Sequence, residues 1–351
     1  MPSSSPEGGA TPEFPVRSLA EVARLCASPW GLEEYGPLDE SPCLLIGTNN
    51  GETVPGDPAR IAARLRELPC PVLALGPGVP PPLQRGVDVV VESRVAARPL
   101  LGHIKRHPVA AMTLVQLLRH NEDVEPAQGL LVESLAYATL QGGPEFAAVH
   151  ARGLNPAPAV EEKGPPVLVS RRGAELCIRF NRPGARNAYN AAMRDALYEA
   201  LQLLHADDDL ALAVVTGEGA CFSVGGDLAE FGGVAHAGTA HAIRSARNVA
   251  SLLLALAPRL EFHLHSACIA PASNCPPSAA ASSDGRTRSC NCPSSGTDCF
   301  PARAARSVSR AASGASARPG WRCPGAGSTR QPRCNGDCWT RWCKQWSIRE
   351  S

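Results

Sequence analysis

The sequence predicts an α/β protein with two folded regions. Short apolar runs typical of buried strands alternate with longer segments whose apolar residues recur every three or four positions, the spacing of one helix face. This alternation covers residues 17–153 and again residues 167–269, and a Pro-rich linker at residues 154–166 separates the two. With 351 residues, 44% of them hydrophobic and 19% charged, the chain is large enough for two ordinary globular domains.

The N-terminal region is predicted to be a small α/β domain with a helical end. Apolar runs predict three strands, at residues 43–47, 71–76 and 87–91. Helical spacing predicts helices at residues 57–68, at residues 95–119 with a break at Pro108, and at residues 126–151. Residues 1–16 are rich in Ser, Pro and Gly, so we expect them to be disordered.

The second region has a clearer pattern. Residues 167–171 and 174–180 predict a hairpin of strands, and residues 191–205 predict a helix with one apolar stripe. The stripe consists of Met193, Leu197, Leu201 and Leu204. Further along, residues 212–216 and 259–265 predict strands on either side of a helix at residues 241–256.

Two motifs of this region, read together, resemble the enoyl-CoA hydratase/isomerase (crotonase) superfamily. Residues 181–188 read NRPGARNA, and residues 217–228, directly after a predicted buried strand, read GEGACFSVGGDL. The superfamily shows NRP-x-x-x-NA at the end of a strand, then a helix, then a strand running into G-x-G-x-x-F-S-x-G-x-D. Order and spacing match over residues 166–269, which implies the front half of a crotonase-like spiral of ββα units. The alternative is that Gly225 and Gly226 form only a turn.

The resemblance implies a site on these motifs. In the superfamily, backbone N–H groups stabilise an enolate-like oxyanion formed from a thioester carbonyl, and here Gly226 matches the first donor. The remaining matched positions are implied to bind coenzyme A or the substrate, and Asp227 is also expected to cap the following helix. They are Ala185, Arg186, Ala188, Ser223, Val224, Gly225, Asp227 and Leu228.

By resemblance, the activity is hydration or isomerisation of an enoyl-CoA thioester, with no metal and no redox cofactor. The superfamily assembles as trimers or pairs of trimers. The six cysteines of residues 1–270 stand singly, as in proteins of reducing compartments, and no apolar run has the ~20 residues that span a bilayer. We therefore expect a cytoplasmic protein with an acyl-CoA ligand and neither nucleic-acid nor membrane partners.

The resemblance breaks near Ala270. Residues 265–269 begin the superfamily motif H-G-x-x-x-G-A-G-x-E-L, but the second oxyanion donor would fall at about Pro271, which has no N–H group. The glutamate expected next is absent. We therefore expect the chain to be impaired as an enzyme, and the alternative is a non-catalytic acyl-CoA-binding or interaction protein.

The tail at residues 270–351 has a different composition. From Pro271 onward there is no Leu or Met, and eight of the chain's 14 cysteines lie there. The burial of so few apolar residues cannot offset the entropy that the chain loses on folding, and we therefore expect this tail to be disordered. Each triplet of a shifted reading frame combines the third codon base of one residue with the first two codon bases of the next residue. From Ala270 to Ser278 these triplets permit AGIELPAF, which supplies the missing turn and glutamate. This predicts a changed reading frame. A zinc module on the tail cysteines is a weaker alternative, because their spacing fits no standard site.

Overall fold

The computed structural model describes residues 14–76, 78–152, 164–230, 232–234 and 236–266, and the backbone of residues 288–291. These residues fall into two compact units, the first ending at Arg119 and the second beginning at His120. Each unit has its own sheet and its own hydrophobic core. Within the described part of the chain, no helix is long and apolar enough to cross a membrane.

The first unit contains a four-stranded parallel sheet whose strands lie in chain order. The strands are β1 (Val16–Arg17), β2 (Leu44–Gly47), β3 (Val72–Leu75) and β4 (Val89–Val91). The helices are α1 (Leu19–Ala27), α2 (Pro58–Glu67), a 3-10 turn (Pro81–Gly86), α3 (Arg94–Arg106) and α4 (Pro108–His120). All three predicted strands and the break at Pro108 are confirmed.

The sheet of the first unit is buried on both faces. Along β2, Leu44 and Ile46 belong to the core on one face, whereas Leu45 belongs to the core on the other. Successive side chains of a strand point to opposite faces, so a run of apolar residues without alternation is what a doubly covered parallel strand requires. The same reason explains why these strands were visible in the sequence.

The start of the first unit differs from the prediction. Phe14 is 4% exposed and belongs to the core, and β1 begins at Val16, so the prediction of disorder is wrong for residues 14–16. Helix α1 was not predicted, although its capping box was a readable signal. The Ser18 side chain accepts from the Glu21 N–H, and the Glu21 carboxylate accepts from the Ser18 N–H. Residues 1–13 lie outside the described residues.

The second unit contains a five-stranded mixed sheet in the order β5-β6-β7-β8-β9. Strands β5 (Val167–Arg172) and β6 (Glu175–Phe180) form the predicted antiparallel hairpin, and β7 (Leu212–Gly217) and β8 (Leu260–Leu264) continue the sheet in parallel. The helices are α5 (Pro126–Gln141), α6 (Pro144–Ala151), α7 (Ala191–Ala206), α8 (Ala237–Ala246) and α9 (Val249–Ala255). The fold class is therefore α/β, as predicted.

The core of the second unit lies between α7 and the sheet. The four residues of the predicted apolar stripe on α7 are each no more than 3% exposed and belong to one cluster with Ile178 and Phe222. Helix α7 begins after Asn190, whose side chain accepts from the Met193 N–H. This packing holds the ends of β6 and β7 together, and both motifs start at these ends.

Two predicted helices are each divided in the structure. Gly142 and Gly143 separate α5 from α6. The helix predicted at residues 241–256 is divided between α8 and α9, because the Asn248 side chain accepts from the Ser251 N–H and so caps the start of α9. Helices α5 and α6 also belong to the second unit, where α5 packs on α8, whereas the sequence analysis placed them in the N-terminal domain.

One short strand lies within the tail. Strand β9 (Arg288–Asn291) pairs antiparallel with β8, so these four residues differ from the disorder predicted for residues 270–351. The exposed edge of β8 offers backbone hydrogen bonds to any extended segment, whatever its side chains. Three further segments of the chain lie outside the described residues, at residues 153–163, 267–287 and 292–351.

Candidate active site

The two sequence motifs meet at the carboxyl ends of β6 and β7, and Asn187 joins them. Its side chain is 0% exposed and makes three hydrogen bonds to main-chain groups. Oδ1 accepts from the Arg182 N–H at 2.9 Å, and Nδ2 donates to the carbonyl oxygens of Glu218 at 2.8 Å and Cys221 at 3.0 Å. Asn187 has a φ of 54°, in the left-handed region that asparagine tolerates better than most residues. The spacing of the first motif therefore serves to place one amide between two loops.

Further hydrogen bonds align the second motif along the first. The buried Ser223 hydroxyl donates to the Asn187 carbonyl oxygen at 2.8 Å and accepts from the Gly225 N–H at 3.1 Å. The Val224 N–H donates to the Arg186 carbonyl oxygen at 3.1 Å. A hydroxyl that both donates and accepts explains why serine suits this position. These bonds set residues 185–188 beside residues 223–225.

Gly226 lies in a turn that is held from both sides by Tyr189. The Tyr189 N–H donates to the Gly225 carbonyl oxygen at 2.7 Å, and the Asp227 N–H donates to the Tyr189 carbonyl oxygen at 2.9 Å. In this parallel bridge the N–H of Gly226 itself faces away from Tyr189. Among the residues that the structure describes, no acceptor receives it, and a Cβ built on Gly226 would meet no atom within 4 Å. The turn therefore presents one N–H group to open space.

Gly225 and Gly219 both have a positive φ, and at Gly219 a close contact also requires glycine. Gly225 has a φ of 95°, which an L side chain rarely adopts. At Gly219 a Cβ would lie 2.8 Å from the Pro183 Cβ, so the second motif could not approach the first. The glycines of the loop thus allow both the sharp turn and the close contact between motifs.

An ion pair that the sequence analysis missed spans the same turn. The Arg182 Nη1 lies 3.0 Å from the Asp227 Oδ2, and the two side chains are 11% and 19% exposed. The same Nη1 also donates to the Ala188 carbonyl oxygen. The other Asp227 oxygen accepts from the Ala229 N–H at 3.1 Å, at the start of the 3-10 turn Leu228–Glu230. The arginine of the N-R-P motif was the available signal, but nothing in the sequence indicated its partner.

The carboxylates nearest the turn are engaged in other contacts. Glu218 pairs with Arg179 at 2.9 Å in an exposed ion pair, and a Glu230 oxygen accepts from the Ala191 N–H at 2.7 Å at the start of α7. Within the described residues, no group of three or more His, Cys, Asp or Glu side chains is placed to hold a metal ion. Among the described residues, the turn therefore offers one N–H group and main-chain contacts, while Glu218 and Glu230 are held in contacts elsewhere.

The two motifs therefore form one strand–helix–strand unit with a glycine turn whose N–H group has no acceptor among the described residues. The family model for enoyl-CoA hydratase/isomerase matches residues 172–258. This segment, which is less than half of the chain, is thus similar to the enoyl-CoA hydratase/isomerase family.

The relatives cover only part of the chain. It is 40% identical over 70 residues to enoyl-CoA hydratase EchA19 of Mycobacterium tuberculosis, which is 20% of this chain and 26% of that protein. It is 49% identical over 64 residues to 4-chlorobenzoyl coenzyme A dehalogenase-2 of an Arthrobacter species, which is 18% of this chain and 23% of that protein. A crystal structure of enoyl-CoA hydratase from M. tuberculosis H37Rv matches at 42% identity and a TM-score of 0.20, over 20% of this chain and 28% of that one. The chain thus spans about a quarter of the length of the curated relatives it matches.

Proposed function

We propose that this chain binds an acyl-CoA thioester and places the thioester carbonyl oxygen on the Gly226 N–H. The observation that carries the proposal is the geometry of that turn. Its two flanking residues are hydrogen-bonded to Tyr189, and the N–H between them donates to none of the described residues. A donor whose direction is set in advance stabilises negative charge on an oxyanion without reorganising during the reaction.

The comparisons support the class of substrate. The names of both relatives described above state a CoA derivative, and the family model matches the segment that contains both motifs. In the proposal, the main chain of Ser223, Val224 and Gly225 follows the adenine of coenzyme A. Ala185, Arg186 and Ala188 line the same part of the site, and Asp227 and Leu228 also belong to the proposed CoA and substrate site.

The proposed reaction is that of an enoyl-CoA hydratase or isomerase, with turnover impaired in this chain. Two N–H donors share the charge of an oxyanion in such a site, and Pro271 cannot provide the second one. Glu218 and Glu230 are engaged elsewhere, so no acid or base is assigned to the reaction. The absence of an N–H at Pro271 also favours the second candidate function, a binding protein for acyl-CoA that does not catalyse. A cytoplasmic location and assembly into trimers belong to the proposal as well.

Binding and turnover by the intact chain test this proposal. Calorimetry with crotonyl-CoA should show binding by the wild type and by Gly226→Ala, which keeps the N–H, and much weaker binding by Gly226→Pro, which removes it. Equal binding by all three proteins, or none by the wild type, would contradict the role of Gly226. Spectrophotometric hydration of crotonyl-CoA should be slow or absent, and substantial turnover would refute the impairment.

The change of reading frame is a proposal about the gene, and DNA sequencing tests it. We expect a single inserted or deleted base in the codons for residues 266–272, because one shifted frame supplies both the missing glycine turn and its glutamate. If these codons instead encode the sequence as it stands, the frame proposal fails, and the chain is a broken or repurposed relative whose CoA binding is then the question.

A further inference from the structure

The structure assigns a positioning role to Arg182, and this inference rests on the proposed function. We propose that the Arg182 guanidinium group holds the Gly226 N–H in the direction needed to polarise the thioester carbonyl. Arg182 lies at the end of β6, six residues before Ala188 and 45 before Asp227 in the chain. Its side chain connects the two segments that form the glycine turn.

Two backbone hydrogen bonds flank Gly226 in the turn. They join Tyr189 to Gly225 and to Asp227, and both depend on the spacing between the segments. The Arg182 side chain binds one residue of each segment. It donates to the carbonyl oxygen of Ala188, which precedes Tyr189, and it pairs with Asp227, which follows Gly226. The guanidinium group thus acts as a spacer that sets how closely the two segments approach each other, and this distance decides where the Gly226 N–H points.

The burial of the pair makes this spacer rigid. The side chains of Arg182 and Asp227 are 11% and 19% exposed, so little water can replace either partner. By contrast, Arg179 and Glu218, at the ends of the neighbouring strands, form an ion pair of similar length at 2.9 Å with side chains 50% and 39% exposed. The exposed pair is a matched control, because it has the same charges and a similar distance but does not touch the glycine turn.

A positioning role predicts separate effects on binding and on polarisation. The proposed adenine contacts are made by the main chain of residues 223–225, which the Ser223 hydroxyl and the Asn187 carbonyl hold without the Arg182 side chain. Binding of free coenzyme A should therefore change by less than about twofold when Arg182 is replaced. The direction of the N–H is more sensitive, since misplacing a catalytic group by about 1 Å can cost about 100-fold in rate.

The test uses the full chain and cinnamoyl-CoA, whose conjugated acyl group absorbs at longer wavelength when its carbonyl is polarised. The wild type should shift the absorption band to the red on binding. Arg182→Met should lose most of this shift while binding free coenzyme A nearly normally, Arg182→Lys should recover part of it, and Arg179→Met should behave as the wild type. If Arg182→Met does not unfold cooperatively, Arg182→Gln carries the test with the same criteria, because its side chain stays polar and lacks the charge that pairs with Asp227.

The outcomes separate the two proposals. A wild type that binds cinnamoyl-CoA without a red shift, or does not bind it, contradicts the proposed function itself. A wild-type shift that Arg182→Met retains in full overturns only the role of Arg182. Equal weakening of free coenzyme A and cinnamoyl-CoA by Arg182→Met would also overturn it, because that result describes a residue needed for the fold and not for the direction of the N–H.

Discussion

The substitution Arg119→Met removes a buried guanidinium group from the first compact unit. Arg119 contacts both oxygens of Asp88, at 2.8 and 2.5 Å, and their side chains are 7% and 12% exposed. The same group donates to three carbonyl oxygens at the end of α2 and in the segment that connects it to β3. These belong to Arg66 at 3.0 Å, Leu68 at 2.7 Å and Cys70 at 3.0 Å.

The loss of stability should be large because the buried partners of Arg119 cannot form replacement hydrogen bonds with water. Removing one member of a buried ion pair typically costs about 3–5 kcal/mol, since the remaining charge stays buried without compensation. Asp88 keeps one hydrogen bond, from the Val72 N–H at 2.7 Å, whereas the three carbonyl oxygens lose a donor. We therefore expect Arg119→Met to lower the free energy of unfolding of this unit by about 4 kcal/mol. With a denaturant slope of about 2 kcal/mol per molar urea, the midpoint falls by about 2 M.

Thiol labelling reports the unfolding of this unit separately from the other. Cys43 and Cys70 are at most 2% exposed, and burial raises the pKa of both thiols, that of Cys70 to about 12, so neither reacts in the folded unit. Peptide mass spectrometry after a labelling pulse in increasing urea gives the midpoint. Arg64→Met removes an exposed pair with Glu67 and should cost less than about 1 kcal/mol. Equal midpoints for the two variants would refute the reasoning.

Two further predictions concern the second unit. Burial, partly opposed by Arg244, raises the pKa of Glu133 to about 7, so the folded state retains a proton that the unfolded chain releases near its usual, lower pKa. The stability from this group should be complete below the unfolded pKa and lost as pH rises through about 7, by at most about 3 kcal/mol. Thermal unfolding between pH 5 and 8.5 should show this slope reduced in Glu133→Gln, and equal slopes would contradict it. Asn187→Gly removes three buried hydrogen bonds without straining the left-handed φ, and it should lower the free energy of unfolding in urea by about 2–4 kcal/mol. A decrease below about 1 kcal/mol would show that the two motifs do not depend on this amide.

The sequence predicted those elements whose signal is local. The strands β2 and β3 are short apolar runs because both faces are covered, and the stripe on α7 repeats at helical spacing because one face is buried. The two motifs were recognisable for a related reason. Their glycines and Asn187 meet backbone requirements at defined positions of one continuous segment, so their order and spacing are visible in the chain itself.

Contacts between distant segments were decided only by the tertiary structure. Exposed Leu131 and Leu135 and buried Leu130 lie on different faces of α5, so its apolar pattern does not say which unit it joins, and packing on α8 places it in the second. The pairing of Arg182 with Asp227 joins residues 45 positions apart, and the pairing of β9 with β8 depends on an open strand edge. A sequence states the type and spacing of residues along the chain. Which charged groups and edges meet depends on the positions of whole elements, and the packing of the cores determines those positions.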